Sequence, residues 1–419
     1  MRRHDGLPCG RAGHAAAAHP ETGTSMNITL HAPLCAGAAL LACLSPLAAA
    51  EGGFTLVDGD KGSLSIYGTL DGGLLSRSGE NGAYAAQAGT RFAGHKSELA
   101  SGIESESRIG LKGSRDLRNG LTALFQLEAG IAIDDGKSTL SDAEGNSVFR
   151  RKSFVGLAGS MGTVVFGRID GGRYSVAGKY DPFANGTVAN MASIQVHGTR
   201  ADNAVAYISP PWNGLSFLAA YTTSLVGQES PGNKGDGRLW AFIPSYSKGG
   251  LDLTLDIEQL QAKGSEEHKL NILVAGGAYD FGPVKVHAYW ESIKTDNYKD
   301  VFDGTFATYN ALLNHRSWML GLSAPVLGDK AKVRASYVAL DDKTSLDASC
   351  RKWGLGGVYY LSERSTYVYA DVAKINNSAN GICSIQPNPA RTAVDSGGVG
   401  SPVGGYGTTG FDFGISHSF

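Results

Sequence analysis

The stretch Ala158-Gly159-Ser160-Met161-Gly162 comes within one residue of the pattern that holds a nucleophilic serine on a strand-to-helix turn. That chemistry needs a helix after the serine. The residues from Gly162 onward instead continue as a strand, so the stretch reads as a tight turn between two strands. Metal chemistry fares no better. His95, His197, His268, His287, His315 and His417 fall at no metal-ligand spacing. Asp58-Gly59-Asp60-Lys61-Gly62 could hold Ca²⁺, but it reads as an Asp/Gly linker ahead of the first strand. No His-Glu-x-x-His, phosphate-binding loop or Cys-x-x-Cys pair occurs, so neither a cofactor nor a metal is expected. What remains is fixed charge set in alternating segments: Arg108, Arg151, Arg168 and Arg200 on the basic side, Glu128 and Asp181 on the acidic side.

Which way those charges point depends on the elements that carry them, and the period of this chain is two. Leu251-Asp252-Leu253-Thr254-Leu255-Asp256-Ile257-Glu258 has one aliphatic and one polar face. Similar alternation runs through 64–71, 284–291 and 333–337. A soluble sheet would put such faces on core and solvent; a membrane barrel would put them on lipid and a water-filled lumen. Sixteen candidate strands can be drawn, from 63–77 and 104–114 through 149–158, 162–170 and 200–209 to 352–361, 365–375 and 407–419. Short connections such as 115–119, 159–161, 249 and 282 alternate with long ones such as 78–103, 171–199 and 376–406. An even strand count with short turns at one end and long loops at the other is the plan of an outer-membrane barrel, and sixteen strands leave an aqueous lumen. The fold class is therefore all-β, a transmembrane antiparallel β-barrel.

Composition agrees. Of 419 residues, 58 are Gly, charged residues are 18% and the formal net charge is −2. No positive excess exists to displace counterions from nucleic acid, and the aromatic content argues against disorder. Residues 1–50 read as a leader with a signal peptide: an apolar stretch from Leu34 to Leu44, then Ala48-Ala49-Ala50 as a cleavage site. Either Met26 is the true start or the positively charged region, with Arg2, Arg3 and Arg11, is unusually long. Residues 51–419 form the barrel domain. Only Cys350 and Cys383 survive cleavage.

The last strand, Phe411-Asp412-Phe413-Gly414-Ile415-Ser416-His417-Ser418-Phe419, puts Phe411, Phe413, Ile415, His417 and Phe419 on one face and ends on an aromatic residue. With Ser65-Ile66-Tyr67-Gly68-Thr69-Leu70-Asp71-Gly72, Ser107-Arg108-Ile109-Gly110-Leu111-Lys112-Gly113, Arg151-Lys152-Ser153-Phe154-Val155-Gly156-Leu157 and Tyr359-Tyr360-Leu361-Ser362-Glu363-Arg364-Ser365, in this order, it resembles the Gram-negative general porins of the trimeric β-proteobacterial type. The resemblance covers the mature chain. It implies passive diffusion of small hydrophilic solutes and ions across the cell outer membrane of a Gram-negative bacterium. It also implies a homotrimer set in outer-membrane lipid and lipopolysaccharide, with Phe419 as the signal for the outer-membrane assembly machinery.

The same resemblance implies that the third long loop, 171–199, folds into the lumen with Asp181 at its tip, opposite an arginine cluster that matches Arg108, Arg151 and Arg200. Strand parity places these residues. Ile109 and Leu111 face lipid, so Arg108 and Lys112 point inward. Leu127 faces outward, so Glu128 points inward as a counter-charge. Phe154 and Gly156 are expected on the lipid face, which puts Arg151 and Val155 inside and Lys152 outside. Arg168, Arg173 and Lys179 are expected nearby, and a weak preference for anions follows. Thr69 stands where some porins carry lysine, and the third loop is poor in acid, which weakens any inference of cation selectivity.

Cys350 and Cys383 fall in consecutive long loops flanking one hairpin, on the same side of the wall, so a disulfide is expected in an oxidising compartment. Two rival readings stay open. An outer-membrane lipase would need a Ser-His pair on the lipid-facing wall, and none is evident. An adhesin or surface-binding barrel would work through its long loops, and 78–103 and 376–406 are long enough for that.

Overall fold

The computed structural model describes residues 53–59, 61–80, 94–137, 148–195, 197–225, 227, 237–261, 269–295, 314–344, 347–362, 364–381, 383–387, 399–400 and 405–419. The leader 1–50, and with it the choice of start at Met26, lies outside the described residues, as do 81–93 and 296–313 of the long loops.

The wall is built from β2 (Gly62–Ser78), β3 (His95–Ser101), β4 (Arg108–Asp116), β5 (Thr122–Gly130), β6 (Ser153–Gly159), β7 (Gly162–Asp170), β9 (Arg200–Ile208), β10 (Leu215–Thr222), β11 (Arg238–Lys248) and β12 (Leu251–Gln261). It continues through β13 (Lys269–Asp280), β14 (Lys285–Thr295), β15 (His315–Val326), β16 (Ala331–Asp342), β17 (Cys350–Ser362), β18 (Thr366–Asn377) and β20 (Thr409–Ser418). Every neighbouring pair is antiparallel, and β20 pairs with β18 on one edge and β2 on the other, so the sheet closes on itself. Phe419 completes the seam by exchanging backbone hydrogen bonds with Gly68 at 2.9 and 3.0 Å. Because β3 and β4 share one place beside β2, the barrel has sixteen places. Most wall strands run 9–13 residues, which matches a tilted crossing of the hydrocarbon core. Along β12, Leu253 and Leu255 are exposed on the outside while Thr254, Asp256 and Glu258 are buried inside, as alternation requires.

Three departures from the expected strands matter. The segment before β2 is not a linker: β1 (Phe54–Gly59) forms a hairpin with it, from Gly59↔Gly62 to Phe54↔Ile66, so Asp58-Gly59-Asp60-Lys61-Gly62 contains the hairpin turn. β1 fills the edge of β2 that β20 leaves open below Thr69. Second, the expected strand 104–114 begins only at Arg108, and the loop 78–103 gives up seven residues to β3. Between β3 and β4 the chain leaves the ladder. Asp71 draws it inward, its Oδ1 accepting the N–H groups of Ile103 (2.7 Å) and Glu104 (3.1 Å). Third, the long loop after β7 contains a helix, α1 (Gly172–Tyr180), although Gly172 and Gly178 within it are poor helix formers. Further along the same loop, β8 (His197–Gly198) pairs with β19 (Val399–Gly400) of the last long loop.

The apolar core lies inside the barrel. Val176, Tyr180, Phe183, Val188, Met191 and Ile194 of the third loop are fully buried against inward residues of the wall such as Ile243, Val274, Tyr289 and Met319. The wall makes room for the loop at glycines. A Cβ at Gly354 of β17 would stand 2.6 Å from the Ala189 Cβ, one at Gly410 of β20 would stand 2.9 Å from the Val188 Cβ, and the Tyr180 ring occupies the space above Gly276 of β13. Close approach of loop to wall is therefore possible only where the side chain is absent.

Candidate pore constriction

Glu106 gathers the basic residues of one side of the lumen. It sits in the inward excursion between β3 and β4, almost fully buried. Its carboxylate pairs with Arg151 and, at 3.6 Å, with Arg200 Nη2. Its backbone oxygen accepts a hydrogen bond from Arg108 Nη1 at 3.1 Å, and the same nitrogen donates to Ser105 Oγ at 3.2 Å. Glu128, buried on β5, accepts Arg151 Nε at 3.1 Å, the Tyr67 hydroxyl at 2.7 Å and Gln126 Nε2 at 3.0 Å. Asp170, at the end of β7, takes Arg200 Nη1 at 3.2 Å and Lys152 Nζ at 3.3 Å. Four cationic side chains thus alternate with three carboxylates along β4–β9. Tyr67 lies over Gly110 of β4, where a side chain would collide with the ring, and this close packing aims the phenol at Glu128.

Across the lumen, on β12–β20, the buried charges are bonded largely to the third loop. Glu258 Oε1 accepts Arg173 N at the start of α1 (3.0 Å), where a carboxylate also suits the helix dipole. Asp412 Oδ2 accepts Val188 N (2.6 Å). Lys352, fully buried on β17, donates to Asn190 O and Ser193 Oγ. Arg334 on β16 holds Glu104 at 2.8 and 2.9 Å and Asp371 at 3.1 and 2.8 Å.

The first chain-wide match is to the Gram-negative porin family, whose model covers residues 36–380. An outer membrane porin protein of Bordetella pertussis is 29% identical over 352 residues, 74% of this chain and 89% of the relative. Outer membrane porin protein 32 of Delftia acidovorans is 31% identical over 326 residues, covering 75% and 85% of the two chains. Among solved structures, an anion-selective porin from Comamonas acidovorans superposes with a TM-score of 0.66 at 26% identity, over 86% of this chain and all of that one. The chain belongs to the Gram-negative porin family. It is a channel of the Gram-negative outer membrane for small hydrophilic solutes and ions.

In this porin, Arg108, Arg151, Arg200 and Glu128 come together on one side of the lumen. The parity of β6 is the reverse of that expected. Val155 and Leu157 are exposed on the outside, while Phe154 and Gly156 point in and Phe154 packs with Val165 and Ala206. Both faces of Ser153-Phe154-Val155-Gly156-Leu157 are apolar, so alternation could not orient the strand. Arg151 points inward because it precedes the strand, and Lys152, expected outside, reaches Asp170 within the lumen. Arg168 stands apart: it pairs with Asp202 and donates to Arg150 O, next to the long loops.

Asp181 is buried, and it folds the loop. Its carboxylate accepts the N–H groups of Phe183 (3.0 Å), Asn185 (3.2 Å) and Met191 (2.8 Å). Burial raises this loop carboxyl above its ordinary value, with those three donors pulling against the rise. Cys350 and Cys383 are joined, with Cα atoms 6.4 Å apart, at the long-loop end of β17. Phe419 also lies beside Phe54 of the added hairpin, ring centroids 6.2 Å apart and tilted by 37°. The residue missed by sequence reasoning is Glu106. Period two could not find it, because Glu106 lies in the excursion before β4, where the chain has left the ladder.

Proposed function

We propose that this porin prefers anions modestly and that the Arg108–Arg151–Arg200 wall sets the preference. The observation that carries the reading is the gathering of Arg108, Arg151, Arg200 and Lys152 around Glu106, Glu128 and Asp170, an excess of one positive charge among these described residues. The similar structure from Comamonas acidovorans bears the description anion-selective, which supports the same sign. Arg168 and Asp181 contribute to the field around this wall rather than to the wall itself.

The remaining parts of the reading follow the family. Residues 1–50 direct export and are removed. Phe419, closing the last strand on Gly68, is the residue the outer-membrane assembly machinery reads. Exposed outward residues such as Leu255, Phe411 and Phe413 meet lipid and lipopolysaccharide or neighbouring subunits of a homotrimer. No bond-making step belongs to this function. Single-channel recording in planar bilayers tests it: steady open conductance, reduced in graded fashion by neutral sugars of increasing size, is expected. A barrel that works as an adhesin would give no such conductance.

A further inference from the structure

A second group of cations lies away from the arginine wall, on the inner face of β14–β18, between the tip of the third loop and the short turns. The ladder register brings it together. Lys285 of β14 stands opposite Ser323 of β15, which stands opposite Arg334 of β16; Lys332 is the next inward residue of β16 toward the turn. These residues line a recess of about 510 Å³ roofed by Lys179, Asp181 and Pro182 of the loop. Pro182 closes the roof by seating on Gly321, where a Cβ would meet its ring.

The recess is a built site. Its volume falls within the range of small-molecule pockets. Among the described residues, no ion pair engages Lys285 or Lys332, whereas Arg334 is held by Glu104 and Asp371. His287, buried beside them, meets Ser323 Oγ through Nε2 at 3.0 Å, which fixes the hydroxyl at the floor. Arg364 lies over the Tyr360 ring at 5.7 Å, and Tyr367 lies 5.9 Å from Tyr360, giving the turn end an aromatic side. Asp280 and Asp329 also line the recess; Asp280 uses Oδ1 to accept Gly282 N at 2.8 Å and keeps acceptor capacity for a hydroxyl.

We propose that this recess is a solute subsite on the short-turn side of the constriction for a small phosphorylated polyol, of the size of a hexose monophosphate. The dianion would lie between Lys285, Lys332 and Ser323, where two ammonium groups and a hydroxyl donate charge-assisted hydrogen bonds. The hydroxyl-bearing carbon skeleton would extend toward Asp280, Asp329 and the tyrosine rings, which supply acceptors and apolar faces. Chloride satisfies only the first half of this arrangement and a neutral sugar only the second.

The proposal rests on the porin reading, and the test separates the two. Open-channel current is recorded first; a chain that forms no open channel fails as a porin, and the subsite falls with it. Glucose 6-phosphate, inorganic phosphate and glucose are then added in turn to each side of a bilayer holding the wild-type channel. Glucose 6-phosphate is expected to interrupt the current at concentrations on the order of tenfold below either of the others, as one further charge-assisted contact would give. Lys285→Gln with Lys332→Gln is expected to remove the advantage over glucose while the open conductance persists. Lys285→Gln alone, at a half-buried residue, serves if the double variant does not insert. Equal block by glucose 6-phosphate and inorganic phosphate in the wild type, or an unchanged advantage over glucose in the variants, overturns the proposal.

Discussion

The two sides of the lumen use buried charge in different ways. Along β4–β9, carboxylates and guanidinium groups bond chiefly to one another: Glu106 to Arg151 and Arg200, Glu128 to Arg151, Asp170 to Arg200 and Lys152. Along β12–β20, Glu258, Asp412 and Lys352 bond to the backbone of the third loop, and glycines on the same strands leave room for its side chains. One side therefore presents a lateral network whose net charge acts on passing ions. The other, outside the Lys285–Lys332 recess, is a seat, where charge is consumed in fixing a segment of chain. Substitutions on the seat should change stability and pore size, and substitutions on the network should change selectivity.

The largest effect is expected where the seat is tied to the outer loops. Asn377 brackets Cys383 by accepting its N–H at 3.1 Å and donating to its carbonyl at 3.0 Å, while Asn190 of the third loop donates to Gln386 O at 2.6 Å. The Cys350–Cys383 bridge closes a segment of 33 positions over this region, for which the chain-entropy relation gives about 3–4 kcal/mol. Cys350→Ser with Cys383→Ser should lower unfolding stability by that order in a denaturant titration, with little change in ion preference. Alkylation of both thiols in the unreduced, denatured wild type would show that the bridge does not form.

Gly354→Val comes next. The added side chain would overlap Ala189, and relief by displacement of the loop should cost about 1–3 kcal/mol. Conductance is expected to change and become noisier as the loop leaves its seat. Unaltered conductance with intact stability would mean that the loop does not depend on this contact. A smaller effect should follow Glu106→Gln on the opposite side. It removes one unit of negative charge, worth roughly 0.4 kcal/mol at about 10 Å in water, so chloride preference should rise by about twofold while the current stays as quiet as in the wild type, because the loop keeps its seat. A noisy, altered conductance resembling that of Gly354→Val, with ion preference unchanged, would erase the distinction between the two sides.

The contrast also explains what could be read from residues alone. The wall was legible because alternation fixes the faces: Leu253 and Leu255 against Thr254 and Asp256 admit one orientation. It failed at Ser153-Phe154-Val155-Gly156-Leu157, where both faces are apolar and packing of Phe154 on Val165 decides. Arg108 and Glu128 were legible because each lies within, or at the first residue of, a clean strand, whereas Arg200 was placed by the family resemblance alone. Lys152 was misplaced because it precedes β6, where period two no longer applies. Lys352 and Asp412 carried no signal of their role. Their partners are backbone groups of a loop more than 150 residues away, and α1 forms across glycines because the wall packs it, against local propensity.

The most direct test is the zero-current potential across a bilayer separating dilute KCl solutions of unequal concentration, for the wild type and for Arg108→Ser/Arg151→Ser/Arg200→Ser. With a local excess of one positive charge and cations still passing, the wild-type potential should fall on the chloride side, at a permeability ratio of roughly two- to three-fold. It should move toward zero as salt approaches 1 M, where the screening length shrinks to about 3 Å. The triple variant, which leaves Glu106, Glu128 and Asp170 facing Lys152 alone, should cross to the potassium side. A wild-type channel already selective for potassium at low salt would contradict this account of the constriction.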